Sequence, residues 1–416
     1  TRKILKPPED SFIRKTRVAV LDTGLTIPHP QFSPFNVRPT LRTVTGEPGA
    51  DGLGHGQWCI SPDSMVYTSF CGVETVERLW ERLVATGYIP VARPGGSTIV
   101  DLKDIWTFDK DGAKTPVLAL HRKVNESRLF TIRAGATVSL ELTPEHICYV
   151  RSDGKVTEKM ASEIRIGDEL VTPQGVLDEQ SLPVVNGVTV NPKVAYLLGL
   201  CIGDAHLRPP GSGHVSTSGH LTLAKNELPH FLKLITEMGF QAPSYISDVN
   251  WVRVYLGWEL SVLLSLLSFP TGKKSNKVRI PDYILKSLNQ QLVGAFLSGY
   301  LDADGWVGMA ANAKQNRVVE WNSTSKRIIQ QIKFLLGLLG IRAAYRERAV
   351  QTPYGACRVT SVQVGGAANL TKLGLLLYPG LKSECIGKLV GERGTEQATR
   401  VTGIQCTHAP SYVYDL

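Results

Sequence analysis

The feature that most constrains this chain is a pair of similar segments set 100 residues apart, AYLLGLCIGDA at 195–205 and AFLSGYLDADG at 295–305. Each is mostly apolar and carries an aspartate near its end, Asp204 or Asp304. Each is followed by a β-like stretch and then by an amphipathic segment, LPHFLKLITEMGF at 228–240 or KRIIQQIKFLLGLLGI at 326–341. Self-similarity at this period predicts an internal duplication with two equivalent α+β halves. Asn191-Pro192 is a good cap and first-turn pair for the first helix. Small residues at Gly199 and Gly203, and at Ser298 and Gly299, would let the two helices pack backbone to backbone. A carboxylate at a helix C-terminus is disfavoured by roughly 0.3–1 kcal/mol. Asp302 is expected to point elsewhere.

Charge marks the same region. The chain has 416 residues and a net charge of +9. Residues 191–390 hold 22 Lys plus Arg against 11 Asp plus Glu, so the remainder sums to −2. A discrete basic block suits a unit that meets nucleic acid. Seven scattered cysteines with no CxxC pair argue against a zinc ribbon or a disulfide framework, and favour a reducing, intracellular compartment. No apolar run reaches the ~18 residues of a membrane span. ELSVLLSLLSF (259–269) and FLLGLLGI (334–341) read as buried helices, and no membrane partner is expected.

The flanks differ. Residues 59–185 read as all-β, with short alternating runs such as SMVYTSF, RLFTIRAG and HICYVRS, separated by turn signals. One helix is expected at 74–86. Residues 396–416 return to β character and should complete this unit after a long insertion, residues 186–395. Residues 1–58 do not form a complete domain, and a first residue Thr1 suggests a piece of a longer precursor.

Cys59 opens CISPDSMVYT, Thr143 and His146 stand in T-x-x-H spacing, Gly167-Asp168 forms a turn, and VYDL closes the chain. In this order the set resembles the intein (Hint) family. The resemblance implies an all-β, horseshoe-like splicing domain over 59–185 and 396–416. Its first step would be attack by Cys59 on the carbonyl of Trp58, with His146 protonating the departing nitrogen. Thr143 would hold the scissile peptide, and Asp415 would tune the thiol. The family's terminal His-Asn pair and downstream Cys, Ser or Thr do not occur within these residues. The expected partner is therefore the C-terminal intein end and C-extein of the same precursor. Splicing itself would need no cofactor.

The repeated segments, LLGLCIGDA and LSGYLDADG, resemble the LAGLIDADG homing endonucleases. SNKVRIPDYI (275–284) and NSTSKRIIQQIKFLLGLLGI (322–341) resemble the segments that follow each motif. The first copy has Ala205 where the family usually has Gly. The resemblance implies a monomer of pseudo-twofold αββαββα repeats, with Asp204 and Asp304 holding Mg²⁺. It implies double-stranded DNA, at the intein-free host allele, as substrate. Lys277 is the expected catalytic lysine, with Lys274 and Arg279 as alternatives. Lys225, Arg253, Lys314 and Arg317 are candidates for the DNA saddle.

VAVLDTGL (18–25) and DGLGHGQW (51–58) resemble the Asp and His motifs of subtilisin-like serine proteases, an α/β fold. Asp22 would orient His55, but the chain leaves that family at Trp58, before any Ser motif. Two other readings compete: a Hedgehog-like autoprocessing protein, which the repeated segments argue against, and a splicing element whose endonuclease has decayed to an inert or DNA-binding insert.

Overall fold

The computed structural model describes residues 59–416 apart from 94–95, 126–127, 136–137, 172–176, 178, 209–218, 310–316, 353–354, 388–399 and 408–411. The expectations for residues 1–58, with Asp22 and His55, and for Lys314 lie outside the described residues.

The chain opens with a hairpin of β1 (Met65–Thr68) and β2 (Gly72–Thr75), whose turn places Gly72 at φ +72°. Helix α1 (Val76–Ala85) follows, and the Thr75 hydroxyl accepts from Arg78 N at 3.4 Å to cap it. Its apolar stripe of Val76, Leu79, Trp80 and Leu83 is buried. The expected helix at 74–86 thus begins two residues late, because Glu74 belongs to β2. Then come β3 (Ser97–Asp101), β4 (Ala119–Val124), β5 (Leu129–Ala134), β6 (Val138–Leu142), β7 (Ile147–Ser152) and β8 (Lys155–Met160). They pair antiparallel, β3 with β4, β5 with β6 and β7 with β8.

Two halves of the same element order follow. The first runs α2 (Pro192–Asp204), β9 (Ala205–Leu207), β10 (Gly219–Ala224), α3 (Leu228–Glu237), β11 (Tyr245–Ser247), β12 (Trp251–Leu256) and α4 (Trp258–Leu266). A short connecting helix, α5 (Asp282–Lys286), leads to the second half. This runs α6 (Gln290–Asp304), β13 (Gly305–Met309), β14 (Arg317–Ser323), α7 (Lys326–Leu338), β15 (Ala343–Thr352), β16 (Gly355–Gly365) and α8 (Ala367–Leu376). Both four-stranded sheets share one strand order, first–second–fourth–third within the half. The FLLGLLGI run is the end of α7 rather than a helix of its own.

Helices α2 and α6 start at matching caps. Asn191 Oδ1 accepts from Val194 N at 3.0 Å and Asn289 Oδ1 from Leu292 N at 3.1 Å, each contributing about 1 kcal/mol. They cross at backbone distance. A Cβ on Gly199 would sit 2.1 Å from the Phe296 carbonyl oxygen, and one on Gly299 would sit 2.0 Å from that of Tyr196. Ser298, 0% exposed, donates its hydroxyl to Tyr378 O at 2.6 Å.

The last strands return to the first unit. Strand β17 (Val401–Thr407) pairs with β5, and β18 (Tyr412–Asp415) pairs with β4 so that Asp415 faces His121. Ile60 bridges to both Leu142 and Tyr414. The hairpin of this unit is also built into the other. Tyr67 and Val73 belong to the main core of the repeated halves, and a Cβ on Gly72 would lie 2.4 Å from Leu285 Cβ. The buried Gln331 side chain accepts from Ile280 N and donates to Val73 O, both at 2.9 Å.

The helix crossing gives a matched test. Gly199→Ala should lower stability by about 1–3 kcal/mol, because the methyl meets backbone that cannot yield. Gly337→Ala, where a Cβ meets nothing within 4 Å, should be neutral or raise stability by up to about 1 kcal/mol. Urea midpoints of the two variants would show it, and equal midpoints would refute the crossing.

Candidate functional sites

The first site surrounds Cys59, which is 1% exposed and packed among Leu129 and Val413. Two backbone strands bracket it. Ile60 exchanges hydrogen bonds with Tyr414 at 2.8 and 3.1 Å, and Thr143 N donates to Cys59 O at 2.9 Å. The Cys59 amide N–H donates to Thr143 Oγ1 at 2.9 Å. Thr143 therefore grips Cys59 on both sides of its Cα, and the amide it holds is the one that joins Trp58. His146 stands one turn on, its N–H donating to Thr143 O at 3.1 Å, with a half-buried ring.

The electrostatics keep Cys59 as a thiol. Burial pushes the Cys59 pKa up to about 12, and the Asp415 and Glu145 carboxylates push the same way, while Lys123 opposes them. Burial also lifts Asp415 to about 7, although a backbone hydrogen bond from Leu416 works against it. Near neutral pH the pair is thus an un-ionised thiol beside a carboxyl poised to take or give a proton.

The second site lies where α2 and α6 end. Burial, then the Asp304 and Glu227 charges, raise Asp204 to about 7, against Lys274 and Lys382. Asp304 opens to solvent, yet the protein crowded around it still raises its pKa. Lys274, Lys382 and a hydrogen bond from Tyr300 pull it back down. Two lysines cap the helix ends. Lys274 Nζ donates to the carbonyls of Cys201 at 3.1 Å and Gly203 at 3.0 Å, and also to Ile202. Lys382 Nζ donates to Leu301 at 3.1 Å, Asp302 at 2.6 Å and Gly305 at 3.0 Å. Burial lowers Lys274 to about 8, against the pull of the Asp304 and Asp204 carboxylates.

The three residues expected to supply the lysine site, Lys277, Lys274 and Arg279, are placed differently. Lys277 is exposed and its backbone N–H turns back to Lys274 O at 2.7 Å, whereas Lys274 points inward to the end of α2, where the charges of Asp204 and Asp304 act on it. Arg279 instead pairs with Asp282 at 2.6 Å. Lys382 was not anticipated. Both lysines sit in a repeated Gly-x-Lys-Ser tetrapeptide, 272–275 and 380–383, which would have identified them. Asp302 does point elsewhere. It is 1% exposed, receives the Tyr196 hydroxyl, and accepts from Leu381 N at 3.0 Å and Lys382 N at 2.7 Å. It thereby holds the turn that carries Lys382.

Two hard carboxylate donors and no thiolate suit a Mg²⁺- or Mn²⁺-type ion, with its remaining ligands from water and phosphate. Among the described residues no group of three or more His, Cys, Asp or Glu could hold a metal by itself.

The outer sheet faces flank this site. On β12 the exposed Arg253 alternates with buried Val252 and Val254, and its guanidinium stacks on Trp251 at 5.3 Å. Lys225 is exposed in the turn after β10. Arg317 differs from expectation. It begins β14 in the register of buried Val319 and Trp321, on the helix-facing side, and is exposed only because the strand starts there. The outward residues of the second sheet include Trp306, Asn322, Arg346 and Arg348, with Arg348 donating to Asn322 Oδ1 at 3.2 Å.

Residues 291–374 match the family model of the LAGLIDADG-like domain. Over 230 residues, 54% of this chain, the sequence is 26% identical to 11% of the Replication factor C small subunit of Methanocaldococcus jannaschii. Over 77 residues, 18% of this chain, it is 40% identical to 6% of the probable translation initiation factor IF-2 of the same organism. The chain thus spans only a small part of the length of these relatives. Among solved structures, the TvoVMA intein aligns at a TM-score of 0.25 and 24% identity, covering 28% of this chain and 69% of that one. The LAGLIDADG meganuclease I-AabMI bound to uncleaved DNA aligns at 0.31 and 15%, covering 48% and 89%. The I-DmoI structure with its target DNA and manganese aligns at 0.31 and 16%, covering 47% and 97%. Among the described residues no helix is long and apolar enough to cross a membrane.

The raised Asp204 pKa fixes the sign of a pH effect. Folded Asp204 keeps a proton to about pH 7 that the unfolded chain releases near 3.8, so rising pH costs stability across that window. In EDTA, Asp204→Asn should therefore be more stable than wild type at pH 8, by roughly 1–3 kcal/mol, and equal to it near pH 4. Urea unfolding at the two pH values measures this, and a less stable variant at pH 8 would contradict it.

Proposed function

We propose that this chain is an intein, a self-splicing element, interrupted by a site-specific double-strand DNA endonuclease. The splicing unit would be 59–185 with 396–416, the endonuclease 186–395, and residues 1–58 a fragment of a subtilisin-like host. The observation that carries the splicing reading is the hydrogen bond from the Cys59 amide to Thr143, beside the strand that bears Asp415.

The chemistry follows from that placement. As Cys59 Sγ attacks the Trp58 carbonyl carbon, its proton passes to the Asp415 carboxylate. The new S–C bond replaces the C–N bond, and His146 delivers a proton to the departing nitrogen. The product is a thioester with a free Cys59 amine. Thr143 holds the breaking amide in line.

For the endonuclease, Asp204 and Asp304 would hold a divalent cation, which when bound supplies Lewis-acid polarisation and a more acidic attacking water. Lys274 and Lys382 place positive charge beside the carboxylates, where a DNA phosphate would sit. Arg253, Arg346 and Arg348 would contact the duplex. The relatives support the insert reading: a replication factor and a translation factor match over 11% or less of their own length, as a mobile element in different hosts would.

Two outcomes test the two halves separately. Strong thiol should release a fragment ending at Trp58, and Cys59→Ala should abolish it. An unchanged intact mass from the parent chain would exclude the acyl shift. Plasmid carrying the uninterrupted host gene should be cut with Mg²⁺, and Asp304→Asn should lower cutting at least 100-fold, taking the usual range of about 10²–10³ for loss of one charge-stabilising group. Binding without cutting by the parent chain would instead favour the decayed insert.

A further inference from the structure

A cluster of arginines lies at the seam between the two units, apart from both sites described above. Arg78 and Arg82 of α1, Arg279 before α5, and Arg327 of α7 line one open cavity of about 310 Å³ together with Glu81. One helix of the β unit and two segments of the repeated halves thus line it together.

The charges are only partly answered. Arg82 and Arg279 share the Asp282 carboxylate, at 2.6 Å each. Arg327 pairs with Glu74, itself 1% exposed, and Arg82 Nη1 stands 4.0 Å from the same carboxylate. Four guanidiniums therefore face three carboxylates. Two of their buried N–H groups, Arg82 Nη1 and Arg327 Nε, have no hydrogen-bond acceptor. A buried charged donor without an acceptor is costly, and a planar guanidinium fork matches a tetrahedral oxyanion in bidentate geometry.

We propose that this pocket is a phosphate-binding site built jointly by the two units. Its ligand class is a phosphate oxyanion. The surroundings favour a phosphodiester of duplex DNA lying outside the paired sheets. Arg327 lies in the first turn of α7, four residues after the end of β14, whose Trp321 pairs with Gly305 next to Asp304. The DNA source rests on the endonuclease reading, whereas the phosphate site does not.

The shared seam gives the site a second consequence. Glu74 belongs to the hairpin whose Val73 and Tyr67 enter the other core, so an oxyanion held by Arg82 and Arg327 would brace the seam. The hairpin lies only a few residues beyond Cys59, which would link an anion bound at the seam to the splicing unit.

The test uses the full chain and three variants, Arg78→Gln, Arg279→Gln and, as a control on a distant exposed lysine, Lys233→Gln. The first reading is the thermal midpoint against millimolar inorganic phosphate, with chloride keeping ionic strength constant. Wild type and the Lys233 variant should rise by several degrees, and the two arginine variants by less than half as much. The second reading is affinity for a random duplex of about 40 base pairs against salt, where each lost phosphate contact should lower the log–log slope by about 0.9. A shallower slope in the arginine variants assigns the site to a DNA phosphodiester. An arginine-dependent phosphate shift with unchanged slopes assigns it to a free phosphate-bearing ligand. Equal shifts and equal slopes in all four proteins would overturn the proposal. DNA cutting does not enter either reading, so a decayed endonuclease would not mimic that result.

Discussion

The contact on which the rest of the structure depends is the crossing of α2 and α6 at backbone distance. Gly199 and Gly299 each face a carbonyl of the other helix, where any side chain would collide. Helices that close must end close, so Asp204 and Asp304 come to lie beside one another at two negative helix ends. Three unfavourable terms then coincide: like charge, partial burial and the helix dipole. The structure answers with Lys274 and Lys382, each donating to the last carbonyls of one helix. The lysines satisfy the helix ends and still leave the carboxylates un-neutralised, since Asp204 remains lifted to about 7. That residual cost is what a bound cation would remove.

The β unit is organised by a different constraint, closure over a long sequence gap. Cys59 and the last strand lie more than three hundred residues apart, yet Ile60 and Tyr414 pair directly. This closure buries Cys59 against Val413 and brings Asp415 to it. Burial has opposite uses in the two centres. Around Cys59 it keeps a thiol protonated. Around Asp204 it makes a carboxylate intolerant of standing alone. The two units are also not separable by their packing, because the β1–β2 hairpin supplies Val73 and Tyr67 to the larger core.

Much of this was legible in the sequence where the signal is local or repeated. The duplicated segments gave the two crossed helices, their Asn caps and their terminal aspartates, because small-residue spacing and caps are short-range patterns. The alternating runs at 59–185 pointed to a β unit. What escaped depends on reach across elements. Which lysine of the 274–277 turn points inward is not a local pattern: Lys277 is exposed and Lys274 reaches the end of α2. Lys382 was hidden because its signal is a four-residue echo 108 positions from Lys274, not a local pattern. Arg317 was basic and on a strand, but strand parity, which only the register settles, turns it to the helix side. Glu74 fitted a helical pattern, whereas pairing with β1 takes it into a strand and buries it against arginines from two units.

The account stands most directly on Asp204 and Asp304 acting together as an oxygen site for a divalent ion at the helix crossing. Mn²⁺ bound to the full chain in the presence of duplex DNA can be counted by electron paramagnetic resonance, since bound and free ion give different signals. The account predicts that tight Mn²⁺ binding is present in the parent chain and lost in both Asp204→Asn and Asp304→Asn, with thermal stability retained. Undiminished Mn²⁺ binding in the folded variants would contradict it.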